Sequence, residues 1–167
     1  MATFTFSSLP NSVEALGAYS LTDPMQVAAL VVCALDTYTP QNPDTCMNML
    51  DYLMSDAQSI SPLMKQQIRD RMTQNNKYPY IAKSYFVGAM PNNDYTPSMP
   101  YTIEVKDNPY SYQEENYARL FLHSGGADSD RPVTFRKLKN GNWALWSDTV
   151  MGLLADIRPV ESTNLWA

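Results

Sequence analysis

One histidine, two cysteines and no long apolar run set the first limits on this chain of 167 residues. With a single imidazole, any histidine general base, nucleophile activator or metal ligand has to be His123. Neither Cys33 nor Cys46 has a C-x-x-C partner, which excludes the common zinc and thioredoxin patterns. Both sit in apolar helical sequence, where a reduced cysteine behaves as a small buried hydrophobe. A disulfide joining the two helices is the less favoured alternative. The longest apolar run, Val27 to Leu35, falls far short of the ~20 residues a spanning helix requires. The N-terminal residues have no basic region and no sustained apolar stretch, so they do not read as a secretory signal. A cytoplasmic protein without membrane association is the expectation.

Basic charge is also scarce. Lys and Arg number 12 against 17 Asp and Glu, a net charge of −5, and phosphate-backbone binding needs a basic stripe to displace counterions. Nucleic acid is therefore not expected as a partner. The basic residues that exist are unevenly placed: Arg131, Arg136, Lys137 and Lys139 fall close together. They can recognise a carboxylate or phosphate locally, although a charged, soluble hairpin edge is the commoner explanation.

Glycine is sparse, at 6, whereas Tyr, Met and Pro reach 11, 10 and 12, a balance that suggests an adaptable core and proline-punctuated loops that pack down. Helix starts are well marked. Ser12 caps a brief helix through Tyr19, and Asp23, Pro24 and Gln26 supply a cap, a first-position proline and a capping-box-like return. The helix from Pro24 to about Tyr38 is apolar on nearly every side, as a central buried helix should be. Asn42-Pro43 and Ser61-Pro62 start two further amphipathic helices.

From Tyr78 the period changes to alternation, giving strands at Ile81 to Ala89, Tyr101 to Lys106, Tyr117 to His123, Pro132 to Leu138 and Trp143 to Ser147. Phe4 and Phe6 alternate with polar residues in a short strand or extended arm. Helices followed by strands imply an α+β fold, with N-terminal helices packed on one face of a mainly antiparallel C-terminal sheet. No repeat or linker divides the chain, so 1–167 reads as one domain, with a helical half at about 12–75 and a sheet half at about 78–160.

The strongest local signal is Lys139-Asn140-Gly141-Asn142, since Asn-Gly suits the positive φ values of a two-residue type I′ turn. If Lys139 opposes Asn142, Phe135 opposes Trp146, and the core face carries Val133, Phe135, Ala144 and Trp146. The other face then holds Arg136, Leu138, Trp143 and Leu145. Alternation in the preceding strand adds Tyr117, Arg119, Phe121 and His123 to that second face. An anionic or sugar-like ligand would meet guanidinium groups and aromatic rings there. The structural alternative has the rings packed on proline loops and the arginines paired with Glu104, Glu114, Glu115 or Asp128.

The remaining candidates are fragments of chemistry. Ser124 follows His123, but neighbours on a strand point to opposite faces, and no G-x-S-x-G elbow surrounds the serine. Asp128 and Asp130 form a D-x-D without the other ligands of a calcium loop, so each is better read as ordering its turn or pairing with Arg131 or Arg136. Ser124-Gly125-Gly126 lacks a Walker lysine and a following helix, and reads as a tight connection between strands. No metal and no cofactor is assigned.

The run SGGADSDRPVTFRK from Ser124 to Lys137, with NWALW from Asn142 to Trp146 and Gly152 to Pro159 after it, resembles a family of uncharacterised bacterial proteins. The similarity extends through Pro100-Tyr101-Thr102 and the helical half. It implies a compact bacterial domain of unknown function in which Ser124 to Arg136 is the motif, and it carries over no catalytic residue.

The leading expectation is a non-enzymatic module that binds a small molecule or protein through Arg119, His123, Asp128, Arg131, Arg136 and Trp143. An enzyme of unrecorded type would use His123 with Asp128 or Asp130 and Arg136. A third reading is purely structural, with Trp143 anchoring the fold or an oligomer.

Overall fold

The structure is a computed structural model, and it describes residues 1–166. Three of its α-helices begin at a side-chain cap. In α1 (Val13–Leu16) the Ser12 hydroxyl accepts from the Ala15 amide at 3.0 Å. In α2 (Pro24–Asp36) the Asp23 carboxylate accepts from Met25 at 2.9 Å. In α4 (Pro62–Thr73) the Ser61 hydroxyl accepts from Met64 at 3.0 Å. These contacts satisfy amides that have no partner inside the helix. Helix α3 (Pro43–Met54) begins with proline alone, since Asn42 makes no capping hydrogen bond. Gln26 does not close a capping box; its amide donates to the Ser20 carbonyl at 2.6 Å instead and ties the incoming loop to α2.

Helix α2 is the centre of the molecule. Every residue from Val27 to Leu35 is at most 1% exposed, because α3 covers one side and all but the fourth of five strands cover the other. These strands are β1 (Ala2–Phe6), β2 (Tyr101–Lys106), β3 (Tyr117–Leu122), β4 (Arg131–Lys137) and β5 (Trp143–Leu145). They form one sheet in the order β1-β2-β3-β4-β5, with every neighbouring pair antiparallel. Its inner face presents Ile103, Val105, Ala118, Leu120, Leu122, Val133 and Phe135 to the helices, all buried. The fold is α+β.

Two expectations need correction. Residues Ile81 to Ala89 do not form a strand: Lys83–Tyr85 is a turn of 3-10 helix, and the Ser84 hydroxyl donates to the Ile81 carbonyl at 2.7 Å. Only the end of this segment meets the sheet, through a bridge from Phe86 to Ile103 and a Val87 amide bond to the Thr102 carbonyl at 2.8 Å. It occupies the edge of β2 that β3 leaves open, since β3 pairs with β2 only at Val105 and Lys106.

The β4–β5 register is also one residue away from a type I′ hairpin. Leu138, not Lys139, closes the loop: its carbonyl accepts from Gly141 at 3.0 Å and its amide donates to the Asn142 carbonyl at 2.7 Å. Gly141 has a φ of +91°, whereas Asn140 is absent from the left-handed region that a type I′ turn would require of it. This is the three-residue loop that ends in a left-handed glycine. Phe135 consequently pairs with Leu145, Arg136 with Ala144 and Lys137 with Trp143. A one-residue slip exchanges the faces of a strand. Leu145 is therefore fully buried in the core and Trp143 packs against it, while Ala144, opposite Arg136 and still buried, and Trp146 belong to the other face.

Cys33 and Cys46 are buried and free. Burial pushes both thiols from 9.0 up to about 12, and the Asp36 carboxylate adds to the shift at Cys33. Burial raises the Tyr85 and Tyr95 phenols in the same direction. The folded state thus holds these protons more tightly than the unfolded chain. The stabilisation is complete below the ordinary thiol value and is lost as pH rises toward about 12. A thiol reagent should leave both cysteines unmodified in the native protein at neutral pH and label both in denaturant. The melting temperature should fall through the alkaline range; a level profile there, or native labelling, would contradict this core.

Candidate functional site

The outer face of the sheet is lined by alternate residues of β2, β3 and β4. Glu104 and Lys106 come from β2, Tyr117, Arg119 and Phe121 from β3, and Thr134 and Arg136 from β4. Tyr117 lies directly opposite Arg136, and Arg119 opposite Thr134. The two arginines are therefore diagonal neighbours on one face, with Cα atoms about 7–8 Å apart.

Arg136 is held by rings. Its guanidinium carbon lies 5.0 Å from the centre of Tyr117 and 5.3 Å from that of Trp146, and one nitrogen donates to the Tyr117 hydroxyl at 2.6 Å. Tyr117 and Trp146 meet edge to face at 5.5 Å. Arg119 sits over Phe121 at 5.5 Å. Each such cation–ring contact is worth about 0.5–1 kcal/mol at an exposed site. Among the described residues, neither arginine forms an ion pair with a carboxylate. The expected structural pairings with Glu104, Glu114, Glu115 and Asp128 are not formed. Beside Arg119 the loop between β2 and β3 rises over the sheet, its Ser111 carbonyl accepting from the Arg119 amide at 2.8 Å. Together they enclose a cavity of about 620 Å³ lined by Ser111, Glu114, Tyr117, Arg119, Phe121 and Thr134.

The other candidate residues fall elsewhere. His123 lies just past the end of β3, six positions from Tyr117, about 20 Å at the rise of an extended strand. Its Nδ1 is 3.2 Å from one oxygen of Asp130, whose other oxygen pairs with Lys106 at 3.3 Å. Asp128 pairs with Arg158 at 2.6 Å, not with Arg131 or Arg136. Arg131 belongs to the inner side of β4, where it donates to the Asp156 carbonyl at 3.3 Å and approaches the Tyr85 hydroxyl. Its buried Nε has no hydrogen-bond partner among the described residues. Trp143 leaves the arginine face because of the hairpin register. The expected cluster of Arg119, His123, Arg136, Tyr117 and Trp143 thus divides into a central group of Arg119, Arg136 and Tyr117, a distant His123 pair, and Trp143 on the reverse side. Trp146, placed in the core by the type I′ register, is the residue that joins the central group. A register read from Leu138 would have found it.

The small-residue loop is a packing junction. The Ser124 hydroxyl donates to that of Ser84 at 2.8 Å, the Gly125 amide to the Ser84 carbonyl at 2.8 Å, and the Arg158 amide to the Gly126 carbonyl at 3.0 Å. A Cβ on Gly125 would lie 1.9 Å from the Ala89 carbonyl oxygen, and one on Gly126 2.3 Å from the Tyr95 hydroxyl. Both glycines are there for close approach, drawing the 81–95 segment and the C-terminal segment onto the sheet.

This junction lies inside the sequence on which the family is defined. Residues 8–161 match the family described as a domain of unknown function, DUF6935, and the chain belongs to it. No curated protein and no solved structure matches the chain.

Gly125→Ala should lower stability by about 1–3 kcal/mol, the range for forcing a methyl group into closed packing. Denaturant unfolding would show it as a lower midpoint, and an unchanged midpoint would contradict the junction.

Proposed function

We propose that the protein is a non-enzymatic binding module whose outer sheet face takes a ligand with a carboxylate or phosphate beside a flat or apolar body. One observation carries this reading: Arg119 and Arg136 are neighbours on one face, positioned over aromatic rings, with no carboxylate among the described residues paired to either. A guanidinium offers five N–H donors, and the single bond from Arg136 to Tyr117 leaves most of them free for an anion. Ring stacking holds the side chain in place before the ligand arrives, which reduces the ordering cost of about 0.5–1.5 kcal/mol per side chain on binding. In a chain of net charge −5, this pair makes a local basic site that would discriminate by position more than by overall charge.

The enzyme alternative rests on the His123–Asp130 pair. An aspartate on Nδ1 does orient an imidazole for proton transfer. Lys106 shares that aspartate, however, Asp128 is paired with Arg158, and Arg136 lies opposite Tyr117 at the far end of β3. Binding is the better-supported use of this face, in an intracellular setting.

Amide NMR titrations with benzoate, citrate, inorganic phosphate and the neutral control benzamide test the proposal. The anions should shift resonances of Tyr117, Arg119 and Thr134, with binding weakened by added salt. Arg119→Ala and Arg136→Ala should each weaken binding by about tenfold, or 1.4 kcal/mol. Equal response to benzamide, or anion binding that survives both substitutions, would remove this face from the account.

A further inference from the structure

A cavity larger than the one beside Arg119 lies away from the arginine face. It is a groove of about 780 Å³ between the C-terminal half of α3 with the turn after it and the β4–β5 hairpin. The hairpin register creates it: Trp143, turned away from Arg136, forms one wall, and its amide donates to the Leu21 carbonyl at 2.7 Å, fixing the edge of β5. Tyr52 stands on the α3 side. Both rings are only partly buried while packing on the core, so each keeps some surface toward the groove.

The polar groups in this groove have unused hydrogen-bonding capacity. The side chains of Asn48, Asp56 and Asn142 make no hydrogen bond with any described residue. Asp51 uses one oxygen, accepting from the Ile60 amide at 2.9 Å. A wholly apolar ligand would desolvate these groups without replacing their water. An anion would meet the carboxylates of Asp51 and Asp56 against the single cation of Lys139. Hydroxyl groups both donate and accept, which suits amides that do both and carboxylates that accept. A pyranose ring also has an apolar C–H face that can stack on an indole. The volume is in the range of about 300–1,000 Å³ typical of small-molecule sites.

We infer that the groove between α3 and the β4–β5 hairpin is a binding site for a neutral saccharide, with Trp143 and Tyr52 as stacking surfaces and Asn48, Asn142, Asp51 and Asp56 as hydroxyl partners. This site is separate from the outer sheet face and does not depend on the reading of that face.

Ligand-observed saturation-transfer NMR on the full chain tests it, with maltose, cellobiose and diacetylchitobiose as probes and spermidine and citrate as charged comparators. At least one disaccharide should receive saturation. Asn48→Ala and Asn142→Ala should each weaken that disaccharide by about tenfold, while Arg71→Ala, exposed on α4 and outside the groove, should leave it unchanged. Asn48 is exposed on α3, so its substitution tests the groove even if the hairpin tolerates no change at Asn142. Three results would each overturn the inference: no disaccharide receives saturation, spermidine displaces the bound sugar, or sugar binding is unaffected by Asn48→Ala.

Discussion

Gly141 holds its backbone at a φ of +91°, and the two hydrogen bonds of Leu138 close a three-residue loop around it. Everything that faces outward or inward on β5 follows from that loop. Because side chains alternate along a strand, the choice of Leu138 rather than Lys139 as the closing residue sends Leu145 into the core and brings Trp146 beside Arg136. The same choice directs Trp143 to the groove beside α3. No Cβ contact requires glycine at position 141, where a Cβ would meet nothing within 4 Å; the requirement is conformational.

The sheet positions these surfaces because its inner face is fully committed. Helix α2 is enclosed by α3 and by four strands, which leaves the inner sheet residues no alternative packing. The Ser124 to Gly126 loop then attaches the remaining segments by backbone contacts too close for a Cβ. The family to which the chain belongs carries this loop within its matched span, and its role in this structure is to join three segments of chain.

Helix starts were legible in the sequence because a Ser or Asp cap followed by proline is a local device whose partners lie within three residues. Alternation identified β2, β3 and β4 for a comparable reason. The 81–89 segment misled because its apolar residues fit an alternating pattern, while the Ser84 bonds that bend it involve Ile81 nearby and Ser124 far along the chain. Asn-Gly was read as a two-residue turn, and the competing loop one residue longer uses the same glycine in a different position. Arg119, Arg136 and Tyr117 were correctly placed on one face by β3 and β4. Trp146 and Trp143 were exchanged by the single residue of slip. The groove had no local signal, since Tyr52 and Trp143 come from elements about 90 positions apart.

The hairpin register is the central claim, and a nuclear Overhauser spectrum of the aromatic protons measures it directly. The structure requires cross-peaks between the Tyr117 ring and the Trp146 indole, and between the Phe135 ring and the Leu145 methyl groups. Cross-peaks joining the Trp143 indole to the Arg136 side chain or the Tyr117 ring, with Trp146 instead in contact with Phe135, would restore the type I′ register and contradict the account.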